Sequence, residues 1–318
     1  NIFILIISKM FNINNYLEFI RCPCCDNDEY RVIKQANYNN LKTQNDLVQI
    51  YKSSADEKLL DRLVECNNCA FQYLNPRIQS NIINKSYENI VDNIHVSQDK
   101  SRIYTFKRSL KKIIRILKIS NTKKINFLDI GSASGAFLKA LKYKGFNETG
   151  YEPSKWMVEY GRREYSVNLH QGRIQDISNE KKFEFISFWD VIEHVTDLDA
   201  TLKKIDGISK TDTILIINVP DIDSYACKIL KFKWPFYLNV HLYYFNKKSI
   251  KKVFEKINFE LVDSFPHIQF LELEYLCKRA SNYIKFFAHI EKFIKILKIG
   301  KLSIPYNLGQ TTYILKKK

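Results

Sequence analysis

The chain has 318 residues, 45% hydrophobic and 26% charged, a balance that describes globular protein and excludes a disordered or low-complexity polymer. Its length suits about two domains, each large enough to bury a core. Fifty Lys and Arg against 34 Asp and Glu leave a net charge of +16, which invites nucleic acid or an anionic surface as partner; heavy use of Ile, Asn and Lys, as from an AT-rich genome, gives the same charge without one.

Residues 1–9 form an apolar run too short to span a bilayer, and they lack the basic n-region and cleavage site of a signal peptide. On that reading Met10 is a candidate start, residues 1–19 are a leader and the chain is cytoplasmic. Its seven cysteines are then thiols or metal ligands rather than disulfides. Cys22-Pro-Cys-Cys25 and Cys66-Asn-Asn-Cys69 are two CxxC knuckles, the spacing at which paired thiolates grip one tetrahedral ion. Ligation by Cys22, Cys25, Cys66 and Cys69 leaves no position for water, so a Zn2+ ion here is structural, in a zinc-ribbon-like domain over 20–80. Cys24 is an alternative ligand, and buried structural cysteines are the competing reading. The 40 residues between the knuckles exceed the usual 15 to 20 or so, which predicts an insertion such as 37–44 looping out.

Residues 81–120 read as a helical linker. Apolar residues at 103, 106, 110, 113/114 and 117 share one helix face, and the basic residues between them read as solvated. From 121 to 318 the patterns alternate. Strands are expected at 125–130, 147–152, 167–170, 184–189, 212–218 and 259–265, and helices at 135–144, 154–165, 198–208 and 247–256, which is a doubly wound α/β sheet. Over 270–300, Tyr283, Phe286, Phe287, Ile290, Phe293, Ile294 and Leu297 recur at helical spacing among Lys285, Lys292, Lys295 and Lys298. This insert is expected to dock on its own domain, with peripheral membrane contact as the alternative. Cys227 and Cys277 have no partner spacing and read as packing residues.

The first of these strands ends at Asp129 and breaks into Gly131-Ser-Ala133-Ser-Gly135, a turn that lets an adenosine-type ligand approach backbone. A dinucleotide fold needs glycine where Ala133 stands, to admit a pyrophosphate, whereas S-adenosylmethionine (SAM) has no phosphate and tolerates the methyl. Glu152 ends the second strand, where a carboxylate accepts hydrogen bonds from ribose hydroxyls. Five segments in order, DIGSASG (129–135), GYEPS (150–154), FWDVIEHV (188–195), NVPD (218–221) and HLYYF (241–245), resemble the motifs of class I SAM-dependent methyltransferases. The resemblance covers roughly residues 20–265 and is nearest to the sugar and small-molecule branch with an N-terminal cysteine domain. It implies a seven-stranded Rossmann-like sheet whose last, antiparallel strand is 311–317, and adenine contacts from Ile174 and Gln175. The stretch 64–77 also resembles that branch's knuckle and exit strand, with Ala70 where glycine is usual.

Methyl transfer from a sulfonium is an in-line displacement, so the protein must align acceptor, methyl and sulfur and exclude water. Asp129 and Gly131 are expected on the methionine and ribose side, Glu152 at the ribose, and Pro153 beside the adenine. Asp190 is expected to cap or position and Glu193 to bond nearby backbone. His194 and His241 are candidates for a general base titrating near neutrality, against a structural His–carboxylate pair. Trp234-Pro-Phe236, Tyr243 and Tyr244 offer rings for a sugar or simply core. The expected reaction is methylation of a sugar, nucleotide-sugar or related metabolite, such as in surface-glycan synthesis. An RNA methyltransferase is the rival, but Asp190-Val-Ile-Glu193 replaces the Asn/Asp-Pro-Pro-aromatic motif that holds an exocyclic amine, and no cysteine nucleophile stands there; nucleic acid is therefore not the expected partner. A binding module with a non-catalytic SAM fold is a second rival, opposed by the intact Asp129, Gly131, Gly135 and Glu152.

Overall fold

The computed structural model describes residues 12–39, 41–51, 59–88, 92–281 and 286–318. Residues 1–11, which carry most of the expected leader, and Tyr283 and Lys285 of the insert lie outside the described residues.

The N-terminal unit comprises β1 (Leu17–Glu18), β2 (Tyr30–Lys34), α1 (Gln44–Ile50), β3 (Leu63–Cys66), β4 (Gln72–Leu74) and β5 (Arg77–Ile78). The long spacing between the knuckles is not only a loop. Thr43 accepts a hydrogen bond from Asp46 N–H and donates its own N–H to the Asp46 carboxylate, a reciprocal cap that starts α1 at Gln44. Leu47 and Ile50 of that helix are buried. The chain then passes through α2 (Ser80–Glu88) and α3 (Asn93–Ser97) into α4 (Asp99–Ile116), the amphipathic helix expected from periodicity. Its Leu110 and Ile113 pack with Phe127, Phe137 and Ile216, so its apolar face lies on the sheet as the pattern requires.

The rest of the chain alternates as expected: β6 (Asn126–Ile130), α5 (Ala136–Tyr143), β7 (Asn147–Glu152), α6 (Lys155–Tyr165), β8 (Leu169–Gln171), β9 (Phe183–Trp189), α7 (Leu198–Ile208) and β10 (Ser209–Pro220). There follow α8 (Tyr225–Leu230), β11 (Tyr243–Tyr244), α9 (Lys247–Glu255), β12 (Phe259–Pro266), β13 (Gln269–Glu272), α10 (Leu273–Ser281), α11 (Phe286–Ile296), β14 (Ser303–Tyr306) and β15 (Gln310–Lys317). Seven strands form one sheet in the order β12-β15-β10-β9-β6-β7-β8. β6 to β10 are mutually parallel, while β15 runs antiparallel between β10 and β12. The fold is thus an α/β, Rossmann-like mixed sheet, and strand order reverses beside β6, where an open sheet places its ligand crevice.

Two features depart from the sequence reading. The insert is not wholly helical, because β13 pairs antiparallel with β14 to close a hairpin around α10 and α11. Pro305 inside β14 hides that strand from a pattern search. Within the insert Ile294 is buried and Lys295 pairs with Glu274 and Glu291, yet Phe293 is 60% exposed. In addition β11 joins the cysteine unit, pairing with β4 in a sheet of order β11-β4-β3-β2. Tyr73, Leu74, Leu242 and Phe245 therefore share one core with Leu128, Ile130 and Phe188. Each such side chain, fully buried, contributes about 1.5–3 kcal/mol. Among the described residues, no helix is long and apolar enough to cross a membrane.

Candidate functional site

The turn after β6 is built by backbone bonds. Gly131 and Ser132 N–H both donate to the Tyr151 carbonyl, at 2.8 and 3.2 Å. Gly131 has φ +66°, and a Cβ there would lie 2.5 Å from Val191 Cγ2. Its need for glycine thus comes from Val191 and left-handed backbone as well as from any ligand. Ala133 also adopts positive φ, +45°, and its N–H donates to Glu152 Oε2 at 3.0 Å. Glu152 Oε1 accepts from Ser154 N–H at 2.9 Å. The carboxylate at the tip of β7 is thereby held against the turn by two main-chain donors. Burial nevertheless pushes its pKa up to about 7. Asp129 behaves alike: burial raises it to about 7 although Ser187 Oγ donates to it at 2.6 Å.

These groups face a cavity of about 890 Å³ at the switch point, whose wall includes Asp129, Gly131, Ala133, Glu152, Pro153, Ile174, Gln175 and Asp190. Of the residues expected around the ligand, Gly135 alone is absent from that wall; with φ +80° it opens α5. Asp190 reaches the wall with its carboxylate already held by Asn218 Nδ2 and Gln310 Nε2, each at 2.7 Å. That engagement fits positioning.

The cavity wall also carries Glu193, His194, Phe236 and His241. The two imidazoles meet edge to face, 4.7 Å between centroids. His194 Nδ1–H donates to the Val240 carbonyl and His241 Nδ1–H to the Phe236 carbonyl, both at 2.8 Å. The expectation that they titrate near neutrality fails. Burial lowers His194 to about 4, and burial with the neighbouring His194 holds His241 well below its usual value, so both are neutral at pH 7. Glu193 does not bond backbone through its side chain: both oxygens are buried without a hydrogen-bond partner. The aromatic candidates divide. Trp234 is 2% exposed, with Nε1 donating to the Leu308 carbonyl; Tyr243 and Tyr244 are buried, their hydroxyls engaged with Arg77 and Leu238. Only Phe236 of this group faces the cavity.

Arg102, His267 and Asp99 are missed by sequence reading. Arg102 belongs to the helix whose basic residues read as solvated, yet it lines the cavity with Nε buried and unpartnered. Asp99 accepts from Ser134 Oγ at 3.0 Å and from Tyr165 OH at 2.7 Å, tying α4 to the turn and to α6. Only the i, i+3 offset of Asp99 and Arg102 at the head of α4 could have pointed to a shared face.

The cysteines converge as their spacing predicts. Sγ atoms of Cys22, Cys25, Cys66 and Cys69 all lie within 4.8 Å of one another, with Cys22–Cys69 and Cys25–Cys66 at 3.5 Å. Zinc–thiolate bonds of about 2.3 Å imply tetrahedral edges of roughly 3.8 Å, so the donor set fits such an ion. Cys24 is buried outside the set. Ala70 has φ +59°, which explains the glycine preference at this knuckle position.

The sequence profile of the methyltransferase domain family matches residues 101–264, more than half of the chain, and the chain belongs to that family. It is similar to the ubiquinone biosynthesis O-methyltransferase of Rickettsia prowazekii (strain Madrid E), 27% identical over 104 residues that cover 31% of this chain and 41% of that protein. It is also similar to a human ATP synthase lysine N-methyltransferase, 31% identical over 83 residues, 26% of this chain and 36% of that protein. The chain spans less than half the length of these curated relatives. Among solved structures, magnesium protoporphyrin IX methyltransferase from Synechocystis PCC 6803 with bound SAH matches 68% of this chain and 84% of its own, at 11% identity and a TM-score of 0.46.

Proposed function

We propose that this chain is a SAM-dependent methyltransferase acting on a small acceptor, with a sugar, nucleotide-sugar or related metabolite as the class. The observation that carries the SAM reading is Glu152, a buried carboxylate anchored to the turn by Ala133 and Ser154 N–H and open to the cavity. SAM supplies a methyl group on a sulfonium, a leaving group that needs no acid assistance. Glu152 receives the ribose hydroxyls, each such charge-assisted bond contributing about 1.5–3 kcal/mol. Pro153, Ile174 and Gln175 border the adenine, Asp129 and Gly131 the methionine side, and Arg102 provides the cation for its carboxylate. The part of the wall that carries Glu193, His194 and His241 is the acceptor end, where both imidazoles are neutral with the proton on Nδ1.

The acceptor class rests on the sequence motifs and on Phe236, an aromatic side chain in the wall. The named relatives act through an oxygen in one case and a lysine nitrogen in the other. A zinc ion in the four-thiolate cluster is proposed as structural, since four thiolates close its coordination.

Calorimetric titration of the full chain with SAM tests the reading. Binding is expected, and Glu152→Ala is expected to weaken it about tenfold or more. No binding by the folded, zinc-loaded chain overturns it. His241→Ala should lower turnover more than SAM affinity, and tight, salt-sensitive RNA binding would replace the small-acceptor reading with the nucleic-acid one.

A further inference from the structure

The acceptor end holds a cluster for which SAM binding has no use. Glu193, His194 and His241 each present one ligand atom, and the three atoms lie within 4.8 Å of one another. Glu193 is 1% exposed, and neither of its carboxylate oxygens has a hydrogen-bond partner. A buried carboxylate left this way is costly unless a cation or a donor meets it. Both imidazoles give Nδ1–H to a backbone carbonyl, which fixes the ring as it is usually fixed in metal-binding histidines. The cluster is also anchored on two separate segments: Leu242 N–H donates to the Glu193 carbonyl at 2.8 Å, which locks the loop of His241 to the turn of His194.

We propose that Glu193, His194 and His241 form a divalent-metal site at the acceptor end of the cavity. Two imidazoles and one carboxylate favour a borderline cation of the zinc class over magnesium or calcium, which prefer all-oxygen sites. Three protein ligands leave a position open, unlike the four cysteines, and that position faces the cavity. It takes an acceptor hydroxyl, so the methyl acceptor is an alcohol or phenol oxygen; this part rests on the methyltransferase reading, whereas metal binding does not. The bound hydroxyl gives its proton to solvent more readily. Its electron pair then forms the new O–CH3 bond while the carbon–sulfur pair departs on sulfur as a neutral thioether.

The experiment titrates the full chain, with its cysteine cluster already loaded, with Zn2+ by calorimetry and with Co2+ by absorption. One further equivalent of Zn2+ is expected, weakened about tenfold or more in Glu193→Gln and His241→Gln. The added Co2+ should show visible d–d bands without thiolate charge transfer. No second equivalent in the wild-type chain, unchanged affinity in both variants, or thiolate charge transfer on all bound Co2+ would overturn the site. The wild-type measurements decide even where a variant does not fold. SAM affinity measured on the same sample separates the two readings: SAM binding without a second metal removes only the metal site, and a second metal without SAM binding removes only the methyltransferase activity and the acceptor role.

Discussion

Glu152 shows how one residue combines anchoring and binding. Two main-chain N–H groups favour its ionised form, but burial wins and raises the pKa from the ordinary 4.5 to about 7. In the apo chain the sign follows from the raised value. Its contribution to stability is fully present below the unfolded pKa and is lost as pH rises through about 7. Ribose hydroxyls donate more strongly to the ionised carboxylate than to the protonated one, so ligand binding pulls the other way. SAM affinity is therefore expected to rise from pH 6 to pH 8, by at most about tenfold, the change in ionised fraction across a pKa near 7. Calorimetry at several pH values checks this, and Glu152→Gln should flatten the profile. The identity and place of Glu152 were legible in the sequence, as the acid ending the second strand. Its pKa was not, because burial depends on what covers it. The neutral state of His194 and His241 was hidden for the same reason.

At the scale of elements, the decisive contact is the short strand β11 laid on β4, since it draws the loop before it toward the turn after β9. Arg77, at the start of β5, secures this arrangement. It donates to Glu18 at 2.8 Å, to Tyr243 OH at 2.9 Å and to the Thr196 carbonyl at 2.5 Å, with its side chain 5% exposed. Arg77→Ala leaves the Glu18 carboxylate without its cation, and the buried Tyr243 hydroxyl and the Thr196 carbonyl without the guanidinium N–H donors, and a loss of about 3 kcal/mol is expected in urea unfolding. Arg77→Lys should recover part of that loss, since it keeps the charge but not the three-way fork. The strands of the main sheet were readable because each is a local apolar run with its own period. β11 is two residues long and β14 carries a proline, so neither presents a period to read. Arg102 was misread for a related reason: helical spacing says which residues share a face, and only packing says whether that face meets water or a cavity.

For the whole molecule, the sequence suggests a zinc-ribbon-like domain joined to a catalytic one, while the core runs without a break from Cys22, Cys66 and Phe71 to Leu128 and Phe188. Loss of the cysteine cluster should accordingly be felt everywhere. Cys69→Ser is expected to lower the melting temperature of the whole chain in one calorimetric transition; an early, separate transition with an unshifted second one would show that the units are independent.

The sequence by itself determined the sheet alternation, the turn at Gly131, the acid at Glu152 and the two cysteine knuckles, because each is encoded within a few residues by backbone sterics, periodicity or ligand spacing. Only the tertiary structure decided which distant residues meet. It brought His241 to Glu193 and His194 through the pairing of β11 with β4, turned Arg102 inward and closed Asp99 on Ser134. Such contacts depend on long-range packing, and packing also sets the burial that makes a carboxylate a near-neutral acid and a histidine a neutral donor of its Nε2 lone pair.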